Sequence, residues 1–198
     1  MDSKVINKLI RSEVWPLLRD QGFSKFESRT ALRYRGPFIN VVNFQSFNAY
    51  LAEGIGCTTF SFVLNLGVYV IGSAHERFIK RDKGGLLLPR EYHCPFRVNL
   101  KKRTPVDGFA REDIFYIDPA GHSTAACFRE ARHLLTEVAP RWFETLNDLD
   151  GLVAWIESGA DAPPDLPTGA PLDLPIIFRG HDLFATLQLL KHKDPSAG

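Results

Sequence analysis

The stretch TTFSFVLNLGVYV, residues 58–70, decides the fold. Phe60, Phe62, Leu64, Leu66, Val68 and Val70 all fall on even positions, while the odd positions hold Thr59, Ser61, Asn65 and Tyr69. Side chains alternate across a strand with period two, so the pattern predicts a β-strand with one buried apolar face and one face turned to solvent or a partner. The same period continues to either side. Residues 38–47 are rich in β-branched and aromatic residues and make a second strand, and residues 29–35 set Arg29, Ala31, Arg33 and Arg35 against Thr30, Leu32 and Tyr34 in a third. Phe96, Val98 and Leu100 alternate with Arg97, Asn99 and Lys101 in a fourth. Short loops and the absence of helical patterns between strands point to antiparallel pairing.

Helical spacing appears on both flanks of this region. Ile6, Ile10, Val14 and Leu17 share one face of residues 4–21, with Asp2 or Ser3 available as the cap and Gly22 as the stop. Pro16 lies inside that pattern and predicts a kink or a break near Trp15, because proline removes a ladder hydrogen bond and clashes with the preceding turn. After residue 122 the helices come as a run. Ser123 or Thr124 can cap one carrying Cys127, Ala131, Leu134, Leu135 and Val138, and Pro140 suits the first turn of another bearing Trp142, Phe143 and Leu146. Asp148 or Asp150 can cap a third, with Leu152, Val153 and Ile156 inward. The fold class is therefore α+β, an antiparallel sheet of about four to six strands flanked by an N-terminal helix and a C-terminal run of helices.

Residues 161–175 hold five prolines in fifteen positions, which excludes a helix or a central strand. The organisation expected is an α+β domain over 1–160, a Pro-rich linker or arm over 161–175, and a C-terminal strand (176–178) and helix (182–190) packing back on the domain.

Three short elements carry a family resemblance: WPLLRDQGFSKF (residues 15–26), VVNFQSF (41–47) and FSFVLNLGVYV (60–70). An opening helix ending in Gly22-Phe23, a strand ending in Asn43-Phe44-Gln45, and the Asn65-Leu66-Gly67 element together resemble the bacterial family catalogued as domain of unknown function 4304, over about the first two thirds of the chain. The resemblance implies the fold and brings no activity with it.

Composition excludes several classes. With 44% hydrophobic and 24% charged residues the chain is an ordinary globular one, and 24 basic against 23 acidic residues leave a net charge of +1. Affinity for nucleic acid or anionic membranes would need local clustering of charge. Cys57, Cys94 and Cys127 are odd in number and widely spaced, unlike a secreted disulfide framework, and the N-terminus lacks the apolar run of a signal peptide. A cytoplasmic protein with reduced thiols, no membrane span and no cofactor is expected; oligomeric state is left open.

No spacing compels a chemistry. His93-Cys94, His122 with Cys127, and Cys57 offer soft ligands without zinc-site spacing, and His181-Asp182 lacks the further ligands of a metal phosphohydrolase. Gly84-Gly85 is followed by no Lys-Ser/Thr, and no G-x-S-x-G occurs. The acidic residues Asp107, Glu112, Asp113 and Asp118 beside His122 would supply acid–base groups to a metal-dependent hydrolase or nucleic-acid-processing enzyme if a pocket formed over residues 107–122.

The more informative feature is the set Arg29, Arg33, Arg35, Asn43, Gln45, Asn65, Arg97, Asn99 and Lys101, which would converge on one polar sheet face if the strands pair in register. Guanidinium groups and amides together suit bidentate contacts to carboxylates and peptide groups, although charge on an exposed sheet also serves plain solubility. A non-enzymatic protein-binding module of immunity or regulatory type, contacting a protein partner through that face and the loops 72–93 and 104–121, is the function expected; nucleic acid is the less favoured partner.

Overall fold

A computed structural model describes residues 3–73, 76–103, 107–158 and 181–193. Five strands, Lys25–Glu27 (β1), Thr30–Arg35 (β2), Phe38–Ser46 (β3), Phe62–Val70 (β4) and Phe96–Leu100 (β5), form one sheet whose spatial order is β1-β2-β3-β4-β5. Every neighbouring pair is antiparallel. The register of the whole sheet starts from a two-residue turn at Gly36-Pro37, where Gly36 takes φ 54° and Arg35 is set opposite Phe38. Odd positions of β2 are thereby matched to even positions of β3, and even positions of β3 to even positions of β4.

The first helical segment is continuous but changes its winding. Ser3–Leu9 (α1) passes into a π-wound turn, Ile10–Val14, and then into Trp15–Asp20 (α2). The Trp15 N–H reaches back to Ile10 O, one residue further than in an α-helix. Pro16, at the start of α2, has no N–H to give, and a widened turn is how a helix accommodates a proline ring without breaking.

Ala49–Ile55 (α3) has no counterpart in the sequence reading; Asn48 caps it, its Oδ1 accepting from the Leu51 N–H at 2.8 Å. Thr124–Glu137 (α4), Ala139–Leu146 (α5) and Leu149–Ser158 (α6) are the expected run, and His181–Lys193 (α7) follows. Ser123 does not cap α4 with its side chain. The Pro-rich segment 161–175, the edge strand expected over 176–178 and the Asp2 cap lie outside the described residues.

One face of the sheet makes the main core. Ile6, Ile10, Val14 and Leu18 from the first helical segment meet Phe38, Phe44, Leu64, Leu66, Phe96 and Val98, and Phe128, Leu135, Trp142 and Leu152 close over them. Leu187 of α7 is buried in the same cluster, and Lys191 Nζ lies 2.8 Å from Asp150.

The other face corrects one expectation. Every residue of β4 is buried, so its odd positions do not meet solvent. At one end the connection after β4 folds back, packing Ile79, Leu87, Leu88 and Cys94 on Leu32, Ile39, Val41 and Tyr69. At the other, Phe47, Ala52 and Ile114 pack on Val63. No helix among the described residues is long and apolar enough to cross a membrane.

Candidate functional site

Between these two apolar covers the second face carries a polar row. The register places Asn43 opposite Asn65 and Asn65 opposite Asn99, one amide on each of β3, β4 and β5, with Thr30 of β2 opposite Asn43. One step along, Gln45 pairs with Val63; one step the other way, Arg97 pairs with Gly67. Lys101, just past β5, has the parity of Asn99 and Arg97. The second face therefore holds Asn43, Gln45, Asn65, Arg97, Asn99 and Lys101 of the expected set.

Arg29, Arg33 and Arg35 are not with them. They share the parity of Ala31, which is buried in the main core, and so belong to the helix-bearing face. Arg33 is a structural clamp there. Its Nε donates to Asn40 Oδ1 and its Nη1 to Gln21 O, both at 2.9 Å, and its guanidinium lies over the rings of Phe23 and Phe143 at 5.2 and 5.3 Å. Asn40 in turn exchanges hydrogen bonds with Asn147, so one arginine ties the end of α2, the sheet and the end of α5 together. Burial, then the charge of Arg35, lowers the pKa of Arg33. Arg35 is exposed at the hairpin end, and Arg29 is buried beneath α1.

The amide row is a chain of hydrogen bonds with an open end. Asn65 Nδ2 donates to Gln45 Oε1 at 2.9 Å and lies 3.5 Å from Asn43 Oδ1. Asn43 Nδ2 donates to Thr30 Oγ1 at 2.9 Å, and Arg90 Nη1 donates to the same hydroxyl at 3.1 Å. Both acceptors of Asn65 Nδ2 belong to β3, which leaves Asn65 Oδ1 towards β5. That oxygen has no hydrogen-bond partner among the described residues, although Asn65 is only 3% exposed. An unmet buried carbonyl costs about 1–3 kcal/mol, so a donor that reached it once neighbouring side chains moved aside would recover that cost.

Two cations lie along the row. Arg97 and Lys101 are half-buried and form no ion pair among the described residues, and Asn99 is exposed between them. The wall beside Gly67 is made by the turn Glu91–His93, and a Cβ on Gly67 would meet Cys94 Sγ at 2.7 Å. Arg90 and Thr30 were missed by sequence reasoning: Arg90 sits in a long connection, and only the turn that folds over Gly67 brings it to the row.

The acidic loop is engaged otherwise. The Asp107 and Lys102 side chains are 0% and 1% exposed, and both Asp107 oxygens accept from Lys102 Nζ at 2.7 and 2.8 Å. Asp107 also accepts the backbone N–H groups of Phe109 and Tyr116, and Cys127 Sγ packs 3.7 Å from it. Burial, then the charge of Asp107, pushes the Cys127 thiol up to about 12. Asp113 is bound to Arg111, which holds its carboxyl below the usual range.

Asp118 accepts the backbone N–H groups of Ser123, Ala120 and Gly121 and lies 3.1 Å from the Ser123 hydroxyl; these bonds, Ser123's backbone first, take its carboxyl down to about 2. His122 lies 3.3 Å from Asp118 with 87% of its side chain exposed. Asp107, Asp113 and Asp118 each serve a local turn or ion pair, and no group of three His, Cys, Asp or Glu side chains that could hold a metal ion occurs among the described residues. Cys57, Cys94 and Cys127 are free thiols.

Comparison with known proteins agrees with the geometry in leaving chemistry unassigned. The model of the family described as "Domain of unknown function (DUF4304)" matches residues 14–145, and the chain belongs to that family. No curated protein and no solved structure matches it.

Proposed function

We propose that this DUF4304 protein is a non-enzymatic binding module of immunity or regulatory type, and that it takes a protein partner on the amide row of its sheet. The observation that carries the reading is the buried Asn65 Oδ1, which has no donor among the described residues at the end of an ordered chain of amides. A polypeptide supplies what the row lacks. An acidic side chain would meet Arg97 and Lys101, and an N–H entering as the exposed Gln45 and Asn99 side chains move aside would satisfy Asn65. Rigid amides on a packed sheet are preorganised, so little ordering entropy opposes such contacts.

The test places a photo-crosslinking residue at Asn99 and identifies cross-linked proteins in the native host. A partner captured by the parent chain and lost in an Arg97→Glu, Lys101→Glu variant is the expected result. Affinity of the purified pair should then fall about ten-fold or more in Asn65→Leu, the worth of one hydrogen bond to a buried acceptor. Equal capture by the parent chain and the charge-reversed variant would remove the row from consideration.

A further inference from the structure

The opposite side of the molecule holds an independent feature. Lys4, Asn7, Lys8, Arg11 and Ser12, spaced three and four residues apart, come round to one side of the first helical segment and line a recess of about 390 Å³. The helix changes to π winding within it, at Ile10–Val14, a distortion that recurs at ligand sites. Among the described residues the lining carries no carboxylate. Glu13, the acid adjacent in sequence, is directed to Arg132 at 4.0 Å, and neither Lys8 nor Arg11 is in an ion pair among the described residues.

A second observation lies behind Asn7. Arg29 is 9% exposed, and its Nε donates to Asn7 Oδ1 at 2.6 Å, while its Nη1 has no partner among the described residues. A guanidinium withdrawn from water is ordinarily met by a carboxylate; this one meets a neutral amide, and burial lowers its pKa. Through Asn7 its charge adds to that of the cations lining the recess. With Asn7 Oδ1 occupied by Arg29, Asn7 Nδ2 is left to donate.

We propose that this recess is a binding site for the phosphate group of a small phosphorylated molecule, with Lys8, Arg11 and Asn7 donating to its oxygens and Arg29 supplying charge from behind Asn7. Several convergent donors of different kinds, with net positive charge and no acid among the described lining residues, suit a multivalent oxyanion better than a single carboxylate.

The experiment titrates the full chain with inorganic phosphate and with pyrophosphate at constant ionic strength, read by amide shifts and by Tm. Expected are saturable shifts confined to residues 4–12 and Arg29, a rise in Tm, and at least about a ten-fold weaker affinity in Lys8→Ala, Arg11→Ala, whose side chains are exposed and whose loss leaves the core intact. Arg29→Met should gain less Tm from pyrophosphate than the parent chain does. Shifts that fail to saturate, that spread over exposed cations elsewhere, or that persist unchanged in the double variant would overturn the proposal.

Discussion

Among single residues, the energetics concentrate where charge is buried. Lys102 and Asp107 form an ion pair that water does not reach, and breaking such a pair by removing one partner costs about 3–5 kcal/mol because the other is stranded. The two ends are unequal. Asp107 also accepts two backbone N–H groups, so Asp107→Ala strands an ammonium and two amides, whereas Lys102→Met leaves a carboxylate still holding both N–H donors. Urea unfolding should therefore show the larger loss for Asp107→Ala; equal losses would mean that the ion pair alone sets the cost.

Cys127 beside this pair carries a pH signature. Its thiol titrates near 12 in the fold, against about 9 in an unfolded chain, so the folded state holds the proton longer. Stability is then complete below about pH 9 and falls as pH rises towards 12. Tyr34, also raised to about 12 by burial and then the charge of Asp82, adds a loss of the same sign above about pH 10. Cys127→Ala should flatten the alkaline limb of a stability profile between these pH values, and a profile unchanged by the substitution would refute the assignment. At neutral pH a thiol reagent should modify half-buried Cys57 and spare Cys94 and Cys127 until the chain is unfolded.

At the scale of elements, the strand pattern was legible wherever hydrophobicity alternated cleanly. Residues 58–70, 38–47 and 29–35 led to strands with one end displaced by one to four residues, and 96–100 to a strand with the same bounds, because alternation reports one buried face directly. What alternation does not report is which of two mixed faces is the core face. In β2, Arg33 alternates with Leu32 and Tyr34, and the arginine parity was assigned to the polar surface. The correcting signal was local: a two-residue Gly36-Pro37 turn sets Arg35 opposite Phe38, and so Arg33 on the face of Phe38 and Phe44. The burial of odd positions in β4 had no such signal, since it depends on a connection folding back from twenty residues away in the chain.

That connection makes the next prediction. Gly67 in β4 lets the Glu91–His93 turn and Cys94 press onto the sheet, and an added Cβ would lie 2.7 Å from Cys94 Sγ and 3.0 Å from Cys94 Cβ. Gly67→Ala should destabilise by about 1–3 kcal/mol, the usual cost of overpacking. Cys94→Ala removes the sulfur but not the Cβ, so in the double variant part of the penalty should return; strict additivity of the two changes would show that the turn yields without strain.

Taken whole, the molecule is a sheet dressed unequally on its two sides. The helix-bearing face is closed by a deep aromatic and aliphatic core, while the second face is closed at its ends and left polar across its middle. The family match ends at residue 145, yet α6 and α7 are not ornaments on this plan, because Leu152, Trp155 and Leu187 are buried in the same cluster as β4 and β5. Burial in one cluster predicts one cooperative transition. Leu187→Ala should lower the stability of the entire chain by about 2–5 kcal/mol, as for other buried leucines, and should shift fluorescence and far-UV unfolding curves together. Two separated transitions, or a variant as stable as the parent, would place α7 outside the cooperative unit. In that event the core would be closed over β5 by α4, α5 and α6, and the polar row on the far side of the sheet would keep its geometry without the C-terminal helix.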